Sequence, residues 1–198
     1  MATPLVYGSS RHGALPQSSR PFYKRQHSLM ARFLGAFILG LAVLPSAALL
    51  YLWLGYAPVA TKAAPFPFEK RISVLAMNAR ISRDAPERPC VPPTERNLMI
   101  GANVYRAHCN ICHGLIGASK QPIAKGEYPP PPEMFNGKGV TENPVGVTYW
   151  EVANGIRLTG MPAFTGTLSD TQIWQVSQLL AHAKKLPPRV RQFLSAEQ

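Results

Sequence analysis

Cys109, Cys112 and His113 stand together in the run Gly101-Ala-Asn-Val-Tyr105-Arg-Ala-His-Cys109-Asn-Ile-Cys112-His113-Gly114. On a helical turn, two cysteines three residues apart share one face. They can both reach the two vinyl edges of a single porphyrin and form two thioether bonds, while the histidine next in sequence projects over the ring to become the proximal iron ligand. Cys-x-x-Cys-His is thus the attachment signature of a c-type haem. Two other chemistries use paired cysteines, and both fit less well. A thioredoxin-like dithiol sits where a strand runs into a helix of a βαβ pattern, which the flanking residues do not show. A structural zinc site needs two further ligands at finger-like spacing, and Cys90 is the only cysteine left.

The iron of such a haem needs a ligand on its other side. Met161 is the expected one. It lies in Asn154-Gly-Ile-Arg-Leu-Thr-Gly160-Met161-Pro162-Ala-Phe164, a loop flanked by Gly and Pro whose backbone can bring a thioether to a fixed point. Met134, in the proline-rich stretch after the motif, is the alternative. Met99 sits in the helix leading into the motif and is expected to pack in the core; Met77 falls in a spacer, and Met1 and Met30 fall earlier still. His108 and His182 are ligands in principle, the first adjoining Cys109 and the second late in the last helix. A soft sulfur opposite an imidazole favours Fe(II) and raises the potential, which suits reversible one-electron transfer.

The elements that must hold these residues are predicted to be helices. Asn97 to Ala107 carries Leu98, Val104 and Tyr105 at helical spacing. The loop from Ile116 to Val140, with Tyr128-Pro-Pro-Pro-Pro132, must be irregular backbone wrapping something. Thr148 to Gly155 is predicted as a short helix with a Thr148-x-x-Glu151 capping box and Gly155 as its stop. Ser169-Asp-Thr-Gln172 is expected to cap a last helix running to about Lys185, with Ile173, Val176 and Leu180 on one face and Pro187-Pro188 ending it. Three short helices and much loop make a thin core, to which a covalent haem would add the missing apolar centre.

With these motifs in place, residues 97–185 resemble a class I cytochrome c domain. The Gly-x-x-x-Tyr lead-in, Cys-x-x-Cys-His-Gly, the Tyr-Pro-Pro-Pro-Pro loop, Asn-Gly-Ile-x-x-x-Gly-Met-Pro-Ala-Phe and a last helix with an early Trp occur in the family's order. The resemblance implies an all-α fold in which the first and last helices cross, with Tyr105 and Trp174 contributing aromatic rings there. It also implies one covalent haem c, held by Cys109 and Cys112, with His113 and Met161 as axial ligands. In that family a proline carbonyl after the motif bonds the proximal imidazole, and Pro129 to Pro132 are all candidates.

The rest of the chain divides by composition. Residues 1–32 are polar, carry Arg11, Arg20, Lys24, Arg25 and Arg32 with no acidic residue, and read as a disordered tail. Phe33 to Tyr56 is uncharged and mainly apolar, and as a helix would be about 36 Å long, enough to cross a membrane. Pro45 is tolerated in such a span as a kink, and Tyr51, Trp53 and Tyr56 suit its interface. An uncleaved anchor fits this stretch better than a cleaved signal, because no Ala-x-Ala site follows. The basic tail would keep the N-terminus in the cytoplasm and place the haem domain, residues 96–198, on the periplasmic side of the inner membrane. Between them, residues 57–95 hold seven prolines and read as an extended spacer. Arg71 to Arg80 is its exception, apolar enough for a short helix or strand, with nothing obvious to cover it. Cys90, among prolines, is expected to be a bystander.

The net charge of +11 is uneven, with five of the excess positive charges in residues 1–32. A nucleic-acid-binding domain would put its basic stripe on the folded part, so that class is excluded. What remains is either a solvated surface or a docking face for an acidic partner. Two functions fit: a membrane-tethered carrier whose haem domain swings between a protein donor and acceptor, and a haem subunit fixed in a larger respiratory or dehydrogenase complex. An independent haem enzyme of peroxidase type, or a haem-based sensor, ranks below them, because Met161 would close the substrate position. The apolar side chains Ile72, Val74, Leu75 and Met77 separate the two leading readings. A free tether needs no such patch, a docked subunit does, and folding back on the haem domain would also cover it.

Overall fold

A computed structural model of the chain describes residues 20–118, 120–135 and 143–195, with the side chains of residues 20–28 left aside. Residues 1–19, most of the expected tail, lie outside the described residues. The chain divides into two compact units, residues 1–57 and 58–198.

The first unit is one helix, α1, Arg20–Trp53, with Pro45 inside it. It starts earlier than the apolar stretch and takes in Arg20, Lys24, Arg25 and Arg32 before it. Leu29–Trp53 is long and apolar enough to cross a membrane, with mean hydropathy 2.3 and none of its apolar window buried. At its end the Tyr51 hydroxyl donates to the Tyr56 carbonyl at 2.9 Å.

The second unit is all-α, with no strand beyond isolated bridges among the described residues. Its helices are α2 (Glu69–Asp84), α3 (Glu95–His108), α4 (Asn110–His113), α5 (Pro122–Gly126), α6 (Val145–Asn154), α7 (Asp170–Ala181) and α8 (Pro188–Leu194). Helix α3 is capped by Thr94, whose side chain accepts from the Asn97 backbone N–H. Helix α7 begins with the expected capping box, Ser169 and Gln172 bonding reciprocally. These two helices cross and form the centre of the core: Leu98, Ala102, Val104 and Tyr105 from α3, and Ile173, Val176, Leu179 and Leu180 from α7. The crossing is tight at Gly101, where a Cβ would collide with the Gln175 carbonyl. Glycine lets the helix backbones meet there. Of the two expected aromatic rings, Tyr105 is fully buried but packs edge-on against Phe135, while Trp174 stacks on Tyr149 at 4.1 Å.

Three details differ from the expectation. Thr148 does not cap α6: the helix begins at Val145, leaving Thr148 inside it and buried, while Gly155 ends it at φ 65° as expected. With Pro144 at the N-cap, the first turn forms one turn earlier than the Thr-x-x-Glu pattern suggests. Helix α7 stops at Ala181 and is followed by a 3-10 turn, Ala183–Lys185. Pro188 then starts a further helix, α8, because proline at a first helical position loses no hydrogen bond. Arg106 clamps α8 to α3: its Nη1 donates to the Phe193 carbonyl at 2.5 Å and its guanidinium lies over the Phe193 ring.

Much of the expected spacer is held to this unit. Arg71 to Arg80 is helical, as part of α2, which packs against α6. Ile81 is buried, and a Cβ on Gly146 would collide with the Pro86 carbonyl, so this glycine lets the chain after α2 lie against α6. The Gln178 side chain, buried on α7, donates to the Val91 carbonyl at 2.7 Å. Cys90 is exposed and free.

Candidate haem site

Helix α4 is a single turn, and it carries the motif. The Cys112 and His113 backbone N–H groups both donate to the Cys109 carbonyl, at 3.2 and 2.9 Å, so the two sulfurs and the imidazole issue from one turn. Gly114, at φ 75°, lets the chain leave that turn, a conformation costly for a residue with a Cβ. The Tyr105 hydroxyl donates to the Gly114 carbonyl at 2.7 Å, tying the exit to α3 in the buried core. The tyrosine of the Gly-x-x-x-Tyr lead-in therefore positions the motif directly.

Cys109, Cys112, His113, Met134 and Met161 all line one cavity. His113 Nδ1 lies 2.8 Å from the Pro132 carbonyl oxygen. A carbonyl carries no proton, so Nδ1–H must donate, which leaves the Nε2 lone pair for a metal. Among the four consecutive prolines the geometry selects Pro132. Burial lowers the pKa of His113, against the opposing pull of that hydrogen bond, and favours the neutral imidazole that ligation requires.

Met161 sits in a loop that leaves α6, is braced within itself and is pinned back to α6 at its far end. The Ile156 N–H donates to the Met161 carbonyl at 3.2 Å, and the Met161 N–H donates to Thr159 Oγ1 at 3.1 Å. Further on, the Phe164 and Thr165 N–H groups donate to the Val152 and Ala153 carbonyls. The loop folds so closely over Gly155 that a Cβ there would lie 2.6 Å from the Ala163 nitrogen. Met134 is 7% exposed and part of the core, two residues beyond Pro132, whose carbonyl His113 Nδ1 meets. Met99 packs against the core as expected. His108 reaches the cavity, edge-on to Phe164, whereas His182 turns its Nδ1 to the Gln178 carbonyl of its own helix.

The walls suit a large apolar group. They include Pro129 to Pro131, Val152, Ile156, Phe164 and Leu180. Thr148 supplies a further test of fit: it lines the cavity, is 1% exposed, and its Oγ1 has no hydrogen-bond partner. A buried hydroxyl left unpaired costs about 1–3 kcal/mol. A bound group with a polar atom would remove that cost, and a haem has such atoms. The cysteines also fit haem attachment better than dithiol redox chemistry. Burial pushes the Cys109 thiol up to about 12, and burial followed by the Glu127 carboxylate, 3.2 Å from the Cys112 sulfur, raises Cys112 as well. Redox-active dithiols need the opposite, a lowered pKa.

Among the lining residues that sequence reasoning missed are Met77, Glu127, Thr148 and Glu151. Thr148, Glu151 and Val152 share a helical face, a signal available once α6 is taken to begin at Val145. Nothing in the string marks Glu127, whose carboxylate packs against Gly160, 2.5 Å from where a Cβ would stand.

Residues 96–180 match the family model of cytochrome c oxidase, cbb3-type, subunit III. With the all-α fold and the motif geometry, this match supports a class I c-type cytochrome domain of the kind found in electron-transfer haem proteins, over somewhat less than half of the chain. Among solved structures it is similar to a chain of the reducing HAO-like protein complex of Kuenenia stuttgartiensis. The two share 27% identity with a TM-score of 0.42, over 48% of this chain and 47% of that one, so this chain spans about half the length of that relative. No curated protein matches the chain.

Proposed function

We propose that the protein is a membrane-tethered one-electron carrier with a single haem c, attached through Cys109 and Cys112 and ligated by His113 and Met161. The observation that carries this reading is the His113 Nδ1–Pro132 hydrogen bond, which frees Nε2 in the cavity that both cysteines and Met161 share. The haem supplies reversible one-electron exchange between its ferric and ferrous forms. The chain's own residues do the rest. Pro132 fixes the imidazole tautomer, Tyr105 fixes the motif turn, and the pinned loop holds the Met161 sulfur, with Pro162 following it. Two protein ligands leave no iron position for a substrate, so an enzyme of peroxidase type is disfavoured. The apolar window of α1 supports an anchor, and the basic residues before it support a cytoplasmic N-terminus with the haem domain across the inner membrane.

A redox titration of the full chain in mild detergent tests the carrier assignment. It should give one wave with the slope of a single electron, and the ferrous form should not bind carbon monoxide readily. Rapid, complete carbon monoxide binding would mean an open iron position and would favour the enzyme reading.

The second reading, a fixed haem subunit of a larger complex, is favoured by the outer face of α2. Met77 turns toward the cavity, but Ile72 and Leu75 remain 66% and 72% exposed. If that face docks, changing both to Ser should release the partner in detergent while the haem domain keeps its thermal midpoint. If nothing co-purifies with the unaltered protein, the tethered carrier stands.

A further inference from the structure

The family match begins at residue 96, yet part of the cavity wall comes from the chain before it. Met77, on α2, lines the same cavity as Cys109, His113 and Met161. Its neighbour one turn on, Ile81, lies on the same helical face and is 4% exposed. That burial, the Pro86 carbonyl seated against Gly146, and the Val91–Gln178 hydrogen bond hold the segment in register. Its footing is α6, which itself gives Thr148, Glu151 and Val152 to the cavity. A segment that served only as a linker would need no such fastenings. A thioether at that position is suited to the task of filling an irregular gap against a ring, being unbranched and polarisable.

We propose that α2 is a built-in cover for the haem site and that Met77 is the residue through which it acts, closing the cavity to water and small ligands without binding iron. The proposal rests on the haem reading above. Ferric haem carries one more positive charge than ferrous haem, so water near it stabilises the oxidised form. Excluding that water holds the potential up. Met77 is therefore a tuning residue supplied from outside the matched domain. The inner face of α2 serves the haem, while its outer face remains exposed.

The test compares Met77→Ser and Met77→Leu in the full chain, loaded with haem and held in mild detergent. Both should keep covalent haem and the weak long-wavelength band of Met-ligated ferric haem. Met77→Ser should lower the potential and raise the affinity of the ferric form for added imidazole by about tenfold, a figure equivalent to roughly 1.4 kcal/mol. Met77→Leu, which refills the volume, should stay near the unaltered protein in both. Ile81→Ala, which loosens α2 from outside the cavity, should shift both readings in the same direction as Met77→Ser, and it decides the matter if the serine variant does not fold. Loss of the band in both Met77 variants would make Met77 a ligand and overturn the cover. Unchanged potential and imidazole affinity in Met77→Ser, or in Ile81→Ala should that stand in for it, would overturn it equally. An unaltered protein without covalent haem would instead sink the haem reading itself.

Discussion

The wall of the cavity that carries His113 comes from one continuous run of chain, whereas the remaining wall is gathered from places far apart in sequence. Cys109, Cys112 and His113 occupy a single turn, and the Pro132 carbonyl, in the loop that follows, accepts the hydrogen bond from His113 Nδ1–H. The other wall needs Met77 from α2, Thr148, Glu151 and Val152 from α6, and Met161 from the loop after α6. The first wall depends on local geometry, so it can form as soon as its own stretch is ordered. The second exists only when α2, α6 and α7 have packed. Damage to the first should therefore abolish the haem, while damage to the second should change how a retained haem behaves.

The harshest break is on the first wall. Replacing Cys109 and Cys112 together by Ala should eliminate covalent haem entirely, read as loss of haem staining on a denaturing gel. Retention of stain would mean that attachment lies elsewhere. On the second wall, Thr148→Val should leave attachment intact. In haem-loaded protein it should cost about 1 kcal/mol of stability, the worth of one hydrogen bond to the bound group. In haem-free protein the same change should be neutral or stabilising, because it removes an unpaired buried hydroxyl. Paired thermal midpoints of the two forms check this, and equal effects in both would mean that Thr148 has no partner on the haem.

The contrast between the walls also explains what the sequence discloses. The turn of α4, the Ser169 capping box and the Gly155 stop each depend on residues within a few positions, so spacing alone reveals them. The crossing of α3 with α7 instead joins distant parts of the chain and is implied by the family resemblance. Met77 was hidden because its apolar neighbours Ile72 and Leu75 share the same short segment and face away. Periodicity shows that such a helix has apolar sides without saying which of them is covered. Thr148 was misplaced because a Thr-x-x-Glu pattern marks a helix start only when the preceding residues are not already helical, and here Val145 begins the turn. The choice of Pro132 among four prolines needed the imidazole's position, which only the folded loop sets.

A smaller effect should come from Glu151 on the second wall. Burial raises its carboxyl above the ordinary glutamate value. Its folded pKa thus exceeds its unfolded pKa of about 4.3. Below that unfolded value the group is neutral in both states and costs nothing. Stability should therefore decline as pH rises from there through the raised folded pKa, as the unfolded chain ionises first. Glu151→Gln should flatten this part of the profile in haem-free protein, which urea denaturation across mildly acidic pH would measure. A profile unchanged by the substitution would assign the loss of stability to another group.

The central claim, that His113 and Met161 bind one iron from two differently built walls, is tested most directly by the ferric absorption spectra of Met161→Ala and Met134→Ala. The account predicts that both variants keep covalent haem, and that only Met161→Ala loses the weak long-wavelength charge-transfer band and falls in potential. A band that survives in Met161→Ala and disappears in Met134→Ala would contradict it.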